Sequence, residues 1–107
     1  MTPRDFVKEF YQFKQSYVAS VAQSGSQANA LFQKMKLSEA QQALGAELLE
    51  TVITDVLYTV LLGLDGAAQI GIKQVNYTVL DECNNRICGD GEVEELAYEL
   101  FQKRTNS

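Results

Sequence analysis

Apolar positions recur at helical spacing over most of this chain and switch to alternation in one place. The densest stretch is residues 47–64, ELLETVITDVLYTVLLGL. Leu48, Val52, Val56 and Val60 form one row, and Leu49, Ile53, Leu57 and Leu61 form the row beside it. Glu47, Thr51, Thr54 and Tyr58, with Glu50 and Asp55 alongside, leave one restricted face for water. A helix with that much apolar circumference must be covered on more than one side, so the other elements are expected as its covering. Ser38 with Gln41 three residues on has the form of a capping box and starts the helix. Gly45 inside it costs about 1 kcal/mol relative to Ala, which points to a close approach by a neighbouring helix. Gly63 and the Asp65-Gly66 pair are expected to end it.

Upstream, Thr2-Pro3 reads as a helix start, with Thr as N-cap, Pro at the first helical position and Asp5 in the first turn. Phe6, Phe10, Phe13, Tyr17 and Val21 recur at spacings of four, three, four and four, an aromatic stripe expected to pack on the central helix. Lys8, Glu9, Gln12 and Gln15 face outward. Gln23-Ser24-Gly25-Ser26 breaks the helix. A short second helix over about 27–36 follows, with Ala28, Leu31, Phe32 and Met35 inward.

Residues 67–73 are small and glycine-punctuated, a loop or irregular edge. Over residues 74–81 the period changes: Val75, Tyr77 and Val79 alternate with Asn76, Thr78 and Leu80, which predicts a strand. Cys83-Asn84-Asn85-Arg86 is turn-like and Ile87-Cys88 is a short returning strand. Asp90 caps a final helix over about 91–103, with Val93, Leu96, Ala97, Leu100 and Phe101 inside and Glu92, Glu95, Glu99 and Gln102 outside. The predicted class is α+β, mainly α, in a single domain spanning 1–107. It is a helical bundle around a central helix (about 38–63), with a C-terminal β-hairpin (about 74–88) and a final helix.

Composition narrows the function more by exclusion than by assignment. The chain is 46% apolar and 21% charged, which is ordinary globular composition. Asp55 and the threonines interrupt the one long apolar stretch, and a membrane span needs about 20 mainly apolar residues. Charges in MTPRDFVKEFYQF stand where a signal peptide carries its apolar region, so a soluble cytoplasmic protein is expected. Net charge is −5 and uneven: residues 1–36 carry +3, while residues 37–80 and 81–107 carry −4 each. Nucleic acid is a poor partner for such a chain, because phosphate contacts need clustered Lys and Arg. A basic protein suits it better. The chain has no His, which removes the commonest general base and the commonest transition-metal ligand.

Candidate chemistry is sparse. Asp81, Asn85 and Glu92 match positions one, five and twelve of a calcium loop, but Arg86 stands where that loop needs Gly and Cys83 replaces an oxygen ligand. Cys83 and Cys88, with four residues between them, cannot complete a zinc site without His or further Cys. They could lie opposite each other as a cross-strand disulfide, whereas a cytoplasmic protein favours two reduced thiols. Asp55 interrupts the apolar stretch, and a carboxylate there could be perturbed in a pocket. It has no second acid, His or metal motif to act with. No cofactor, metal or enzymatic activity is expected.

The acidic cluster over residues 81–99 carries the most weight. Asp81, Glu82, Asp90, Glu92, Glu94, Glu95 and Glu99 stand against a single Arg86. Acids at a helix start suit the macrodipole, and Glu95 and Glu99 fit a solvated face, but neither reason covers Asp81 and Glu82. A basic protein partner accounts for the whole set.

LYTVLLGLDG (57–66), YTVLDE (77–82) and EVEELAYELF (92–101) resemble small bacterial immunity proteins that accompany polymorphic toxins, including contact-dependent growth inhibition systems. The resemblance covers the C-terminal half. It implies a non-enzymatic inhibitor that binds a toxin domain, often a nuclease, and blocks its active site. A basic nuclease groove would then be occupied by the 81–99 surface. The alternative is a self-associating structural or adaptor domain that uses the aromatics of the first helix as its interface. The sequence does not fix the oligomeric state.

Overall fold

The computed structural model describes residues 1–21 and 25–103. Helix α1 spans Pro3–Val21, α2 Gln27–Met35 and α3 Glu39–Leu64. Strands β1 (Val79–Leu80) and β2 (Arg86–Cys88) pair antiparallel, with Val79 opposite Cys88 and Leu80 opposite Arg86. Helix α4 (Glu92–Ala97) follows and continues as a π-helical segment, Tyr98–Lys103. The architecture is α+β and mainly helical, organised on α3.

The helix starts follow their local chemistry. Thr2 Oγ1 accepts from the Asp5 amide at 3.1 Å while the Asp5 carboxylate accepts from the Thr2 amide at 3.2 Å, a reciprocal cap. Those bonds hold the Asp5 carboxyl below its ordinary pKa. Ser26 caps α2 through the Asn29 amide, and Lys36 closes α2 in the left-handed conformation. Ser38 and Gln41 form the full capping box of α3. Of the expected break before α2, Gln23 and Ser24 lie outside the described residues.

The core sits at one end. Val7 of α1, Leu61 of α3, Ile87 and Cys88 of β2, and Val93, Leu96, Ala97 and Phe101 of the last helix are buried together. The inner stripe expected of α4 is observed, with Leu100 partly buried. A 26-residue helix is about 39 Å long, more than so small a core can cover. The molecule is accordingly elongated, 48 × 30 × 25 Å, with a radius of gyration of 16.2 Å against about 13 Å for a compact domain of 100 residues. The first half of α3 runs beyond the core, accompanied by α2 and the end of α1. Phe32 of α2 seals that approach: a Cβ at Gly45 would lie 2.7 Å from its ring, so the glycine does mark a close helix contact.

Several expected faces are turned. Thr54, assigned to the solvent face of α3, is 4% exposed, whereas Leu48 is 63% exposed and Val52 and Val56 about half exposed. The cause lies on α1, where the inner face carries Val7 and Lys14. A buried ammonium needs oxygen partners. Lys14 Nζ donates to Thr54 Oγ1 at 3.2 Å and lies 3.8 Å from the Glu50 carboxylate, over the rings of Tyr11 and Phe101. The Thr54–Glu50 side of α3 therefore faces α1, and the opposite apolar row is left outside. On α1, Phe6 and Phe10 pack against the core, but Phe13 and Tyr17 stack on each other in the open, 6.0 Å between centroids. On α2, Leu31 and Met35 are exposed, contrary to their expected inward position. Gly63 lies within the last turn of α3, buried under Ile70, and the helix ends at Asp65 with Gly66 at φ +82°.

The hairpin is shorter than the alternation predicts. Residues 74–78 join no strand, because their partners would have to be residues 89–93. Gly89 and Gly91 take φ of +119° and +92° and the chain then enters α4, which ends the returning strand at Cys88.

Candidate partner-binding surface

The acidic cluster is built on one buried carboxylate. Asp65, at the end of α3 and 6% exposed, accepts from the Gly89 amide at 2.6 Å and the Glu94 amide at 2.9 Å. It thereby ties the start of α4 to the end of α3. Asp90 accepts from the Glu92 amide at 3.1 Å. Two of the amides that a helix N-terminus leaves without intrahelical partners are thus satisfied by carboxylates. Arg86 braces the same corner by donating to the carbonyls of Cys88 and Gly89. The backbone carrying Glu92, Glu94 and Glu95 is held from both sides.

The seven acids divide into groups. Asp81 turns inward on its own loop. It accepts from the Met1 ammonium and from the Cys83 and Asn85 amides, each at 2.9 Å, and from Asn85 Nδ2 at 3.2 Å. The ammonium, then the Asn85 amide, hold its carboxyl far below the usual carboxylate range, and the amine is raised in return. Glu82 and Asp90 are exposed on the segments flanking β2. Glu92, Glu95 and Glu99, at spacings of three and four, form one exposed row along the last helix. Glu94 begins the adjacent row with Tyr98 and lies beside Tyr58 of α3. Burial, then the charge of Glu94, then Tyr98 push the Tyr58 hydroxyl up. No basic residue stands on this helix before Lys103.

A second surface was not anticipated. Leu44, Leu48, Val52 and Val56 form an exposed ridge along α3. Its only signal in the sequence was the all-round apolar character of the helix, which demands cover without saying where the chain fails to provide it. Between α1, α2 and α3 lies a pocket of about 240 Å³ lined mainly by Val18, Val21, Phe32, Gln42, Ala46 and Leu49. A polar cleft beside Asp65 is bordered by Asn76, Thr78, Arg86 and Asp90.

The remaining candidates stay apart. Among the described residues no three His, Cys, Asp or Glu side chains converge as a metal group would need. The Asp81 oxygens that a calcium loop would use already accept N–H donors. Cys83 is exposed, Cys88 is buried in the core, and both are free thiols. Burial, followed by the charges of Asp65 and Asp90, pushes the Cys88 thiol up to about 11. Asp55 is exposed on α3. No helix among the described residues is long and apolar enough to cross a membrane. No protein-family model, curated protein or solved structure matches the chain.

Proposed function

We propose that the protein is a non-enzymatic binding module of the immunity type, which neutralises a basic toxin domain, such as a nuclease, by covering its active site. The observation that carries this reading is the row of Glu92, Glu95 and Glu99 with Glu94 beside it, exposed on a backbone that Asp65 anchors. Carboxylates on a fixed frame present a preformed negative surface, and such a surface steers and orients a cationic partner. The likeness of residues 57–66, 77–82 and 92–101 to bacterial immunity proteins supports the same reading. Asp81 contributes to it by holding the hairpin turn, while Glu82 and Asp90 extend the negative field from the segments around β2.

The test is a native pull-down from the source cell at low and high salt, with mass spectrometry of the retained proteins. A small basic protein held at low salt and released at high salt supports the reading, because electrostatic association between exposed charges is screened. The Glu95→Lys/Glu99→Lys double variant, folded by circular dichroism, is expected to lose that protein. Retention by the variant would remove the acidic row from the interface.

One observation favours a second reading, a self-associating domain. With Phe6 and Phe10 committed to the core, its aromatic interface on α1 reduces to the stacked pair of Phe13 and Tyr17. Recovery of the chain only as a salt-resistant oligomer would select it.

A further inference from the structure

The exposed ridge of α3 has a border of one charge sign. Leu44, Leu48, Val52 and Val56 stand four residues apart, so their side chains form a continuous row about three turns long. Along one side run Glu47, three residues from Leu44, and Asp55, three residues from Val52, both exposed. Tyr58 stands four residues after Thr54, on the opposite side of α3, where it packs against the core. Helix α3 contains no Lys or Arg, its four charged residues being Glu39, Glu47, Glu50 and Asp55. Glu50 is turned toward Lys14.

This composition selects the occupant. A second copy laid ridge to ridge would bring Glu47 and Asp55 of each chain near those of the other, with no cation on either helix to offset them. A helix with leucine-type residues on one face and Lys or Arg beside them satisfies both the ridge and its border. Rows at four-residue spacing interdigitate with the same rows on a partner helix at a crossing angle of about −50°. We infer that the ridge of Leu44, Leu48, Val52 and Val56, with Glu47 and Asp55 along its edge, is the seat of a basic amphipathic helix supplied by the partner protein. This rests on the reading of the chain as a binding module for a basic protein, and adds to it the apolar half of the interface. The carboxylates set orientation and on-rate, and the ridge provides the desolvated contact that holds the complex.

The probe is a synthetic Leu/Lys amphipathic peptide of about 18 residues, long enough to form a helix on contact. Its control is a scrambled peptide of the same composition without an apolar face. Backbone amide shifts of the full chain report where each binds. The amphipathic peptide is expected to shift residues 44–56 and the scrambled one to leave them unmoved. Leu48→Gln/Val52→Gln, which removes exposed side chains and leaves the core intact, is expected to weaken binding about tenfold or more. Glu47→Gln/Asp55→Asn is expected to reduce its salt dependence. Shifts confined to Glu92, Glu95 and Glu99, or identical for both peptides, would overturn the assignment. So would a dimer, seen without peptide by sedimentation, that Val52→Gln dissociates, since a second copy would then occupy the ridge. If the peptide fails at α3 while the native chain still retains a basic protein at low salt, the ridge assignment falls and the binding-module reading stands. Failure of both removes the two together.

Discussion

The carboxylate of Asp65 accepts the backbone amide of Glu94 at 2.9 Å across 29 residues of chain, and the amide of Gly89 through its other oxygen at 2.6 Å. This one side chain joins the end of α3 to the start of α4. Hydrogen bonds to a charged acceptor contribute about 1.5–3 kcal/mol each, and an orphaned buried donor costs a further desolvation penalty. Asp65→Ala is expected to lower stability by about 2–4 kcal/mol, read as a fall in the urea midpoint. Asp65→Asn, which keeps one acceptor oxygen, is expected to lose less.

Lys14 and Thr54 form the other buried polar pair, and the cost of breaking it depends on which partner is removed. Thr54→Val leaves the ammonium with only Glu50 at 3.8 Å, an expected loss of about 1–3 kcal/mol. Lys14→Met keeps the long stem between the rings of Tyr11 and Phe101 and removes the charge, which is often neutral or stabilising. In the Lys14→Met background Thr54→Val should cost little. A double-mutant cycle in urea measures the difference, and simple additivity would show that the pair is not coupled.

The same pair explains what the sequence does and does not reveal. The inner stripe of α4 was legible because its polar and apolar residues lie on opposite sides, so periodicity carries a direction. Helix α3 is apolar nearly all round, and there periodicity is mute. Which side faced inward was decided by Lys14, a residue whose burial no pattern announces. The strand over residues 74–78 failed for a non-local reason, since the backbone of Gly89 and Gly91 removed its partner. Within the candidate site, the acids were legible as charge, and their division into separate groups was not. Asp65 read as a helix terminator. Its role as an anchor depends on amides more than twenty residues away.

Gly45 offers a test of helix contact against helix propensity. In an open helix Gly→Ala gains about 1 kcal/mol. Here the added methyl would meet the Phe32 ring at 2.7 Å. Gly45→Ala is expected to gain nothing or to destabilise, and in a Phe32→Leu background the propensity gain should reappear. Thermal or urea unfolding of the four variants checks it. A full gain in the wild-type background would show that α2 does not hold its place on α3.

The two thiols are expected to differ sharply in reactivity. Cys83 is exposed in the hairpin turn, while Cys88 is buried with its pKa raised to about 11. The thiolate is the reactive form, so at pH 8 a thiol reagent should label Cys83 quickly and Cys88 only on unfolding. Labelling kinetics in native buffer and in denaturant separate the two. Equal rates under native conditions would mean that β2 opens readily.

The Asp81 turn makes stability depend on pH on the acid side. Its carboxyl is held far below the ordinary value of about 3.9 by the Met1 ammonium and then by the Asn85 and Cys83 amides of the turn, donors that surround it only in the folded chain. A depressed folded pKa means that the unfolded chain takes up the proton first. The stabilisation is therefore complete above about pH 5 and is lost progressively as pH falls below about 4. Asp81→Asn should remove this contribution, so that the stability difference between wild type and variant narrows on acidification. Urea midpoints at pH 7, 5 and 3 measure it. A difference that stays constant across that range would mean that the turn is held by the geometry of Asn84 and Asn85 and not by the charge of Asp81.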